Sequence, residues 1–175
     1  MKKPLDPKIV KLKKIKDKRG FFQEVFNKVF LKKHLGFEFK VKQMNISQSN
    51  EGVIRGIHYQ ISKPQSKLVY VLKGQIFDIV VDLRIKSPNY GKYKTYYLNE
   101  KNNSMLFVPK GFAHGFMTLK NHTTVCYFVD EFWYKKYERT LIWNDKEINV
   151  KWPKKKSPLL SKKDSQAMTF RKIKN

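Results

Sequence analysis

The sequence predicts a single all-β domain, a sandwich or barrel, on three observations. Short strand patterns separated by turn signals fill residues 40–130, and helical periodicity is confined to one or two short stretches. The chain has 175 residues, 41% of them hydrophobic, with 13 Phe, 9 Tyr and 3 Trp against 8 Gly and 7 Pro. That apolar surface is enough to offset the chain entropy of one core but the length does not fit two full domains. No internal repeat, linker or composition break divides residues 1–175, with 1–14 and 167–175 expected at the periphery.

Val25–Leu35 carries apolar residues at roughly helical intervals, and Gly36 is a natural stop, so one short helix is expected there. Phe39–Ile46 alternates in character, Lys67–Leu72 reads as a buried strand, and Gly74 opens a further strand over Gln75–Leu83. The turn cluster Ser87-Pro88-Asn89-Tyr90-Gly91 separates it from Thr95–Leu98. After a polar turn at Glu100–Ser104, Met105–Val108 ends at Pro109-Lys110-Gly111, and strands follow at Gly115–Leu119 and Thr123–Val129. Strands every ten or so residues are the spacing of a sandwich or barrel. Beyond Pro153 the periodicity fades, although Ser161 could N-cap a short helix with Asp164 in its first turn. Residues 169–175 read as loose.

Lys plus Arg number 38 and Asp plus Glu 14, a formal charge of +24. This balance excludes an ordinary neutral surface and favours nucleic acids, anionic membranes or phosphorylated metabolites as partners. Lysines spread along the whole chain also suit a simply lysine-rich composition. The single cysteine, Cys126, permits neither an intrachain disulfide nor a thiol-rich zinc site, which fits a reducing, cytoplasmic setting. The start, MKKPLDPKIVKLKKIK, lacks the apolar run of about 7–15 residues of a secretory signal, and no stretch of about 18 apolar residues occurs, so no membrane span is expected.

Two of the four histidines sit in unusual settings, His58 in Arg55-Gly56-Ile57-His58-Tyr59-Gln60 and His114 in Pro109-Lys110-Gly111-Phe112-Ala113-His114-Gly115-Phe116. Both read as placed by backbone turns, and either alone reads more readily as a satisfied core residue than as a catalytic one. His34 and His122 read as surface residues. No metal is expected: there is no His-x-His, no cysteine cluster, and Gln60 stands where a second imidazole could serve. A lone imidazole with a tyrosine suits cofactor-free epimerisation, in which neutral His removes a proton beside a ketone and a phenol returns one from the opposite face. The carbonyl holds the enolate charge, a cation such as Lys67 stabilises it, and a carboxylate on the second imidazole nitrogen fixes the tautomer. Arg and Lys side chains remain for a diphosphate.

A colinear series of motifs covers residues 15–166. It runs through Asp17-Lys18-Arg19-Gly20-Phe21-Phe22-Gln23-Glu24, Gln43-Met44-Asn45-Ile46-Ser47-Gln48-Ser49, the His58 segment, and Lys67-Leu68-Val69. It continues with Gly74–Arg84, Ser87-Pro88, the His114 segment, Trp143-Asn144-Asp145, Trp152-Pro153 and Leu160-Ser161-Lys162-Lys163-Asp164. In these the chain resembles the RmlC family, the dTDP-4-dehydrorhamnose 3,5-epimerases of nucleotide-sugar biosynthesis.

The resemblance implies a cupin-type β-jelly roll, a homodimer with exchange near the N-terminus, and metal-free, cofactor-free epimerisation at C3 and C5 of a dTDP-linked 4-keto-6-deoxyhexose. It implies His58 as base, Asp164 as its carboxylate partner, Tyr127 as acid, and Lys67 and Arg55 at the sugar and phosphates. Trp133 takes the place of an aromatic that stacks on the nucleotide base, commonly Tyr in the family, with Tyr134 its neighbouring rival. Arg19, Phe21 and Glu24 resemble nucleotide contacts reaching across the dimer, while Gln43, Asn45, Gln60 and His114 resemble pocket lining. The segment Ser62–Ser66 is about one residue shorter than usual, and Tyr134–Glu138 lacks the family's common Pro. The alternatives are an epimerase of another nucleotide-linked 4-keto sugar, one inverting C3 alone, a metal-dependent cupin, and a silent basic module for nucleotide or nucleic acid. Against that last reading, Glu24, Asp78, Asp82 and Asp164 place carboxylates inside the motifs.

Overall fold

The computed structural model describes residues 5–153 and 157–174. In chain order the strands are β1 (Lys8–Lys11), β2 (Ile15–Asp17), β3 (Gly20–Phe22), β4 (Gln43–Ser49), β5 (Ile54–Gln60), β6 (Lys67–Lys73), β7 (Gln75–Asp82), β8 (Tyr93–Asn99), β9 (Ser104–Val108), β10 (Phe112–Thr118), β11 (Thr123–Val129) and β12 (Glu138–Thr140). The helices are α1 (Lys28–Leu35), α2 (Lys162–Ser165) and α3 (Phe170–Lys174). Among the described residues, one five-stranded sheet has the order β1-β9-β6-β11-β4, a second has β12-β5-β10-β7-β8, and β2 and β3 form a separate ribbon. The strand pairs are antiparallel, and the two sheets make the cupin-type jelly roll that the motifs imply.

Three apolar layers explain why so many strands are hydrophobic on both faces. Val69, Leu106 and Val125 from one sheet pack with Ile76, Val80 and Phe116 from the other, filling the space between the sheets. The outer face of the second sheet, with Phe77, Ile79 and Val81, is covered by the C-terminal segment through Leu141, Ile148 and Phe170. The outer face of the first, with Val10, Leu68, Tyr70 and Phe107, is covered by Leu31 and Phe39. Strand alternation therefore assigns 76, 78 and 80 on β7 to the interior and 77, 79 and 81 to the outer layer. Asp78 is carried inward by that alternation and is fully buried.

Several elements differ from the sequence reading. His58 and His114 lie on β5 and β10, directly opposite each other in the register, and not on turns. The β5 strand was hidden because Ile54 and Ile57 face the outer layer across an irregular stretch, which breaks the period of two. Gly56 has φ +113°, and a Cβ there would stand 2.7 Å from the His114 carbonyl and 2.8 Å from the Gly115 Cα. Glycine is thus required for β5 and β10 to approach. Phe39 lies outside β4 and is buried edge-on against Phe107.

The expected helix begins three residues late, because the Asn27 side chain caps it by accepting from the Phe30 N–H at 3.0 Å. Gly36 ends it in the left-handed conformation, φ 82°, as the sequence suggests. Residues 169–175 were read as loose, yet Phe170–Lys174 is helical and Phe170 is buried against Tyr90. At the other end β1 pairs with β9 and buries Val10. One aromatic at the C-terminus, or Val10 and Leu12 at the N-terminus, give no extended periodic signal in lysine-rich segments, but such buried anchors are enough to dock them.

Candidate active site

The space between the sheets is apolar at one end and polar at the other, where it opens into a cavity of about 400 Å³. That size is within the range of small-molecule sites. One wall comes from β4, β6 and β11 through Gln43, Asn45, Lys67 and Tyr127. The opposite wall comes from β5, β10 and β12 through Arg55, His58, Gln60, His114 and Glu138. The α2 segment adds Ser161, Lys163 and Asp164, and Trp133 stands at the loop between β11 and β12.

His58 Nε2 lies 2.7 Å from Asp164 Oδ1. The carboxyl is pushed up by burial, but its hydrogen bond to His58, the Ser161 hydroxyl and the Lys163 charge more than reverse this and hold it below its ordinary value. An ionised carboxylate accepts only, so Nε2 donates and the lone pair of the neutral ring resides on Nδ1. Burial lowers the His58 pKa below its ordinary value, with Lys163 and Lys67 adding to the effect and Asp164 partly opposing it. The ring is therefore an uncharged base at neutral pH. Ser161 serves as the N-cap the sequence suggests, its hydroxyl accepting from the Asp164 N–H at 3.1 Å.

Tyr127 stands on β11, across the cavity from β5, in register with Asn45 on β4 and Val69 on β6. Burial raises its pKa, with the Glu138 charge adding to the effect and Arg55 partly opposing it, so the phenol keeps its proton. Lys67 on β6 is pulled down to about 8 by burial and Lys163, against the opposing charges of Glu138 and Asp78. A second histidine–carboxylate pair lies behind the first: His114 Nε2 is hydrogen-bonded with Asp78 Oδ2 at 2.8 Å. Burial raises the Asp78 pKa, against the opposing influence of His114 and Lys67, and its Oδ1 has no hydrogen-bond partner among the described residues. Alternation along β10 turns His114 inward together with Phe112 and Phe116, and Asp78 supplies its polar partner there.

The structure gathers His58, Asp164, Tyr127, Lys67, Arg55, Gln43, Asn45, Gln60, His114 and Trp133 around one cavity. The Arg55 guanidinium is steadied by the Ser49 hydroxyl at 2.9 Å. Trp133 is half-exposed at the rim, whereas Tyr134 lies beside Tyr137 and Lys63 and does not line the cavity. Arg19, Phe21 and Glu24 are not brought to it within the chain: Arg19 pairs with Asp17, Phe21 is exposed under Lys14, and Glu24 borders a small pocket beside α1. Glu138 and Lys163, joined at 2.9 Å, are site residues that sequence reasoning missed. Lys163 adjoins Asp164 and could have been inferred from it, but Glu138 sits on a three-residue strand with no readable period. Among the described residues no three His, Cys, Asp or Glu side chains group as a metal site would need.

Comparison with known proteins accords with this geometry. The family model described as dTDP-4-dehydrorhamnose 3,5-epimerase matches residues 5–172. A dTDP-4-dehydrorhamnose 3,5-epimerase of Pseudomonas aeruginosa is 41% identical over 154 residues, covering 88% of this chain and 85% of that protein. The crystal structure of the Bacillus anthracis enzyme of that name, with TDP and pyrophosphate bound, has a TM-score of 0.90 at 44% identity and covers 94% of each chain. The Legionella pneumophila enzyme in complex with dTDP-4-keto-L-rhamnose has a TM-score of 0.92 at 36% identity, covering 95% of this chain and 89% of its own. Agreement of this extent, in sequence and in backbone, establishes that the chain belongs to the dTDP-4-dehydrorhamnose 3,5-epimerase family.

Proposed function

We propose that the protein inverts C3 and C5 of dTDP-4-dehydro-6-deoxy-D-glucose to give dTDP-4-dehydro-L-rhamnose. The observation that carries this reading is that an oriented, uncharged His58 and a protonated Tyr127 stand on opposite sheets and face the same cavity. His58 Nδ1 takes the proton from a carbon beside the 4-keto group. The C–H electron pair forms a C=C bond to C4, and the carbonyl electrons move to O4 as an enolate. The Lys67 ammonium compensates that charge. When the double bond collapses, the Tyr127 hydroxyl delivers a proton to the opposite face. His58 returns its proton to solvent and Tyr127 takes one up, so each inversion introduces a solvent hydrogen.

Arg55 and Lys163 supply positive charge for the diphosphate, and the Trp133 indole offers a stacking face for the base. The resident groups suffice for this chemistry, since the substrate's own carbonyl stores the electrons. A homodimer belongs to the same reading. Arg19, Phe21 and Glu24 lie outside the cavity of their own chain, and Met44 and Ile46 leave an exposed apolar strip on the edge strand β4. In a dimer those N-terminal residues serve the site of a second copy. The lone, buried, unbridged Cys126 fits the cytoplasm, and among the described residues no helix is long and apolar enough to cross a membrane.

The test is turnover of the dTDP-linked 4-keto sugar in deuterated water, followed by NMR. Deuterium is expected at both C3 and C5, with His58→Ala abolishing exchange and turnover, and Tyr127→Phe sparing part of the exchange while impairing inversion. No deuterium at either carbon would refute the reading, and deuterium at C3 alone would make the protein a single-carbon epimerase.

A further inference from the structure

Gln60 lines the cavity two residues beyond His58, but its amide is committed elsewhere. The side-chain nitrogen donates to the carbonyls of Lys63 at 2.8 Å and Phe132 at 3.2 Å, and the side-chain oxygen accepts from the N–H of Tyr134 at 2.7 Å. Both donors are used, so none remains for a ligand. The residue is only 8% exposed, where losing such partners is costly. The Phe132 carbonyl belongs to the peptide before Trp133, and the Tyr134 N–H to the peptide after it. One side chain thus holds the two peptide planes that flank Trp133, leaving that residue's backbone torsions little freedom. Gln43 adds a third restraint by accepting from the Trp133 N–H at 3.1 Å.

We propose that Gln60 is a positioning residue that fixes the Trp133 indole relative to His58 and so sets affinity for the nucleotide, acting on binding and not on proton transfer. This rests on the reading that the base stacks on Trp133. His58 and Gln60 share one strand, so the distance between the reacting carbon and the stacking platform is transmitted through two residues of β5 and one amide. The clamp contacts backbone only, and therefore would hold Trp as well as another aromatic at position 133.

The test is a double-mutant cycle on the full chain, with dTDP as the probe in calorimetry and steady-state kinetics on the dTDP-4-keto sugar. In Gln60→Glu the two donors are lost and a carboxylate faces two carbonyls. Trp133→Ala should weaken dTDP about tenfold, in line with one base–aromatic stack. Gln60→Glu should weaken it to a similar degree, with the loss appearing in KM and not in kcat. The double variant should bind dTDP within about twofold of Trp133→Ala, because the clamp has then nothing to position.

Wild-type dTDP affinity in Gln60→Glu would overturn the proposal, as would multiplying losses in the double variant or a fall in kcat at unchanged KM. If Trp133→Ala alone keeps wild-type affinity, the stacking reading fails, and any loss in Gln60→Glu then arises elsewhere and overturns the proposal as well. Gln60→Met, which removes the hydrogen bonds without adding charge, replaces Gln60→Glu in the same cycle if that variant does not fold.

Discussion

Asp164→Asn removes one negative charge and leaves the shape of the side chain, which makes it a sharp probe of the base. The α2 cap survives, because Ser161 accepts from the backbone N–H of residue 164 and not from its carboxyl. What changes is the 2.7 Å bond from His58 Nε2, together with the weaker contact of the carboxylate with the Ser161 hydroxyl. A hydrogen bond to a charged group contributes about 1.5–3 kcal/mol. This bond strengthens as His58 becomes an imidazolium, and at about 1.36 kcal/mol per tenfold its loss slows proton abstraction roughly 10- to 150-fold. If the new amide turns its N–H₂ toward Nε2, it selects the tautomer with hydrogen on Nδ1, and the loss approaches the ~10⁴-fold of a reversed imidazole. The pH profile gives an independent reading. Asp164 raises the His58 pKa against the larger lowering by burial, so in its absence the pKa falls further and the acidic limb of kcat/KM moves to lower pH. The assay is kcat/KM from pH 4 to 8 together with deuterium entry at C5. A rate within twofold of wild type, or an acidic limb displaced to higher pH, would refute the assignment of Asp164 as the group that orients the base.

Two further outcomes follow from the same coordinates. Because burial brings Lys67 to about 8, kcat/KM of the free enzyme should decline above about pH 8 as the ammonium is lost. Lys67→Arg, which stays charged, should shift that decline upward; persistence of the limb near 8 would assign it to another group, and Tyr127, raised by burial, is not a candidate. Gly56→Ala should destabilise the fold by about 2–4 kcal/mol, since its Cβ would press on the His114 carbonyl from a left-handed backbone. Urea unfolding measures it, and a loss under about 0.5 kcal/mol would show that β5 and β10 separate easily.

Gln75–Leu83, Thr123–Val129 and Met105–Val108 are readable as short apolar runs bounded by turn residues, because these strands lie between packed layers and are buried on both faces. β5 was not readable, since the irregularity that lets Gly56 and Gly115 approach also interrupts its period. β1 and α3 give no readable signal because each is fixed by one or two anchors, Val10 or Phe170, within polar, lysine-rich sequence, and β2 and β3 are exposed throughout and bury nothing that patterns them. Of the residues around the cavity, His58 and Lys67 stand out from their own sequence setting and chemistry, Tyr127 and Asp164 take their roles from motif resemblance, and Glu138 follows from nothing in the sequence.

Sequence by itself determined the class of fold and the chemical types available for catalysis, because these depend on local periodicity and on which side chains are present. The tertiary structure decided their relations. His58 and Asp164 lie 106 residues apart and meet because the C-terminal segment docks on the second sheet, through Phe170 and Ile148 in the outer layer and through the Leu159 backbone bonds to Gly52 and Ile54. Likewise Gln60 reaches a loop 72 residues away, and Asp78 meets His114 inside the sandwich. Such pairings follow from strand order within a sheet and from where the loops and the C-terminal segment dock, which is set by packing over the whole chain and leaves no mark on the sequence neighbours of either residue.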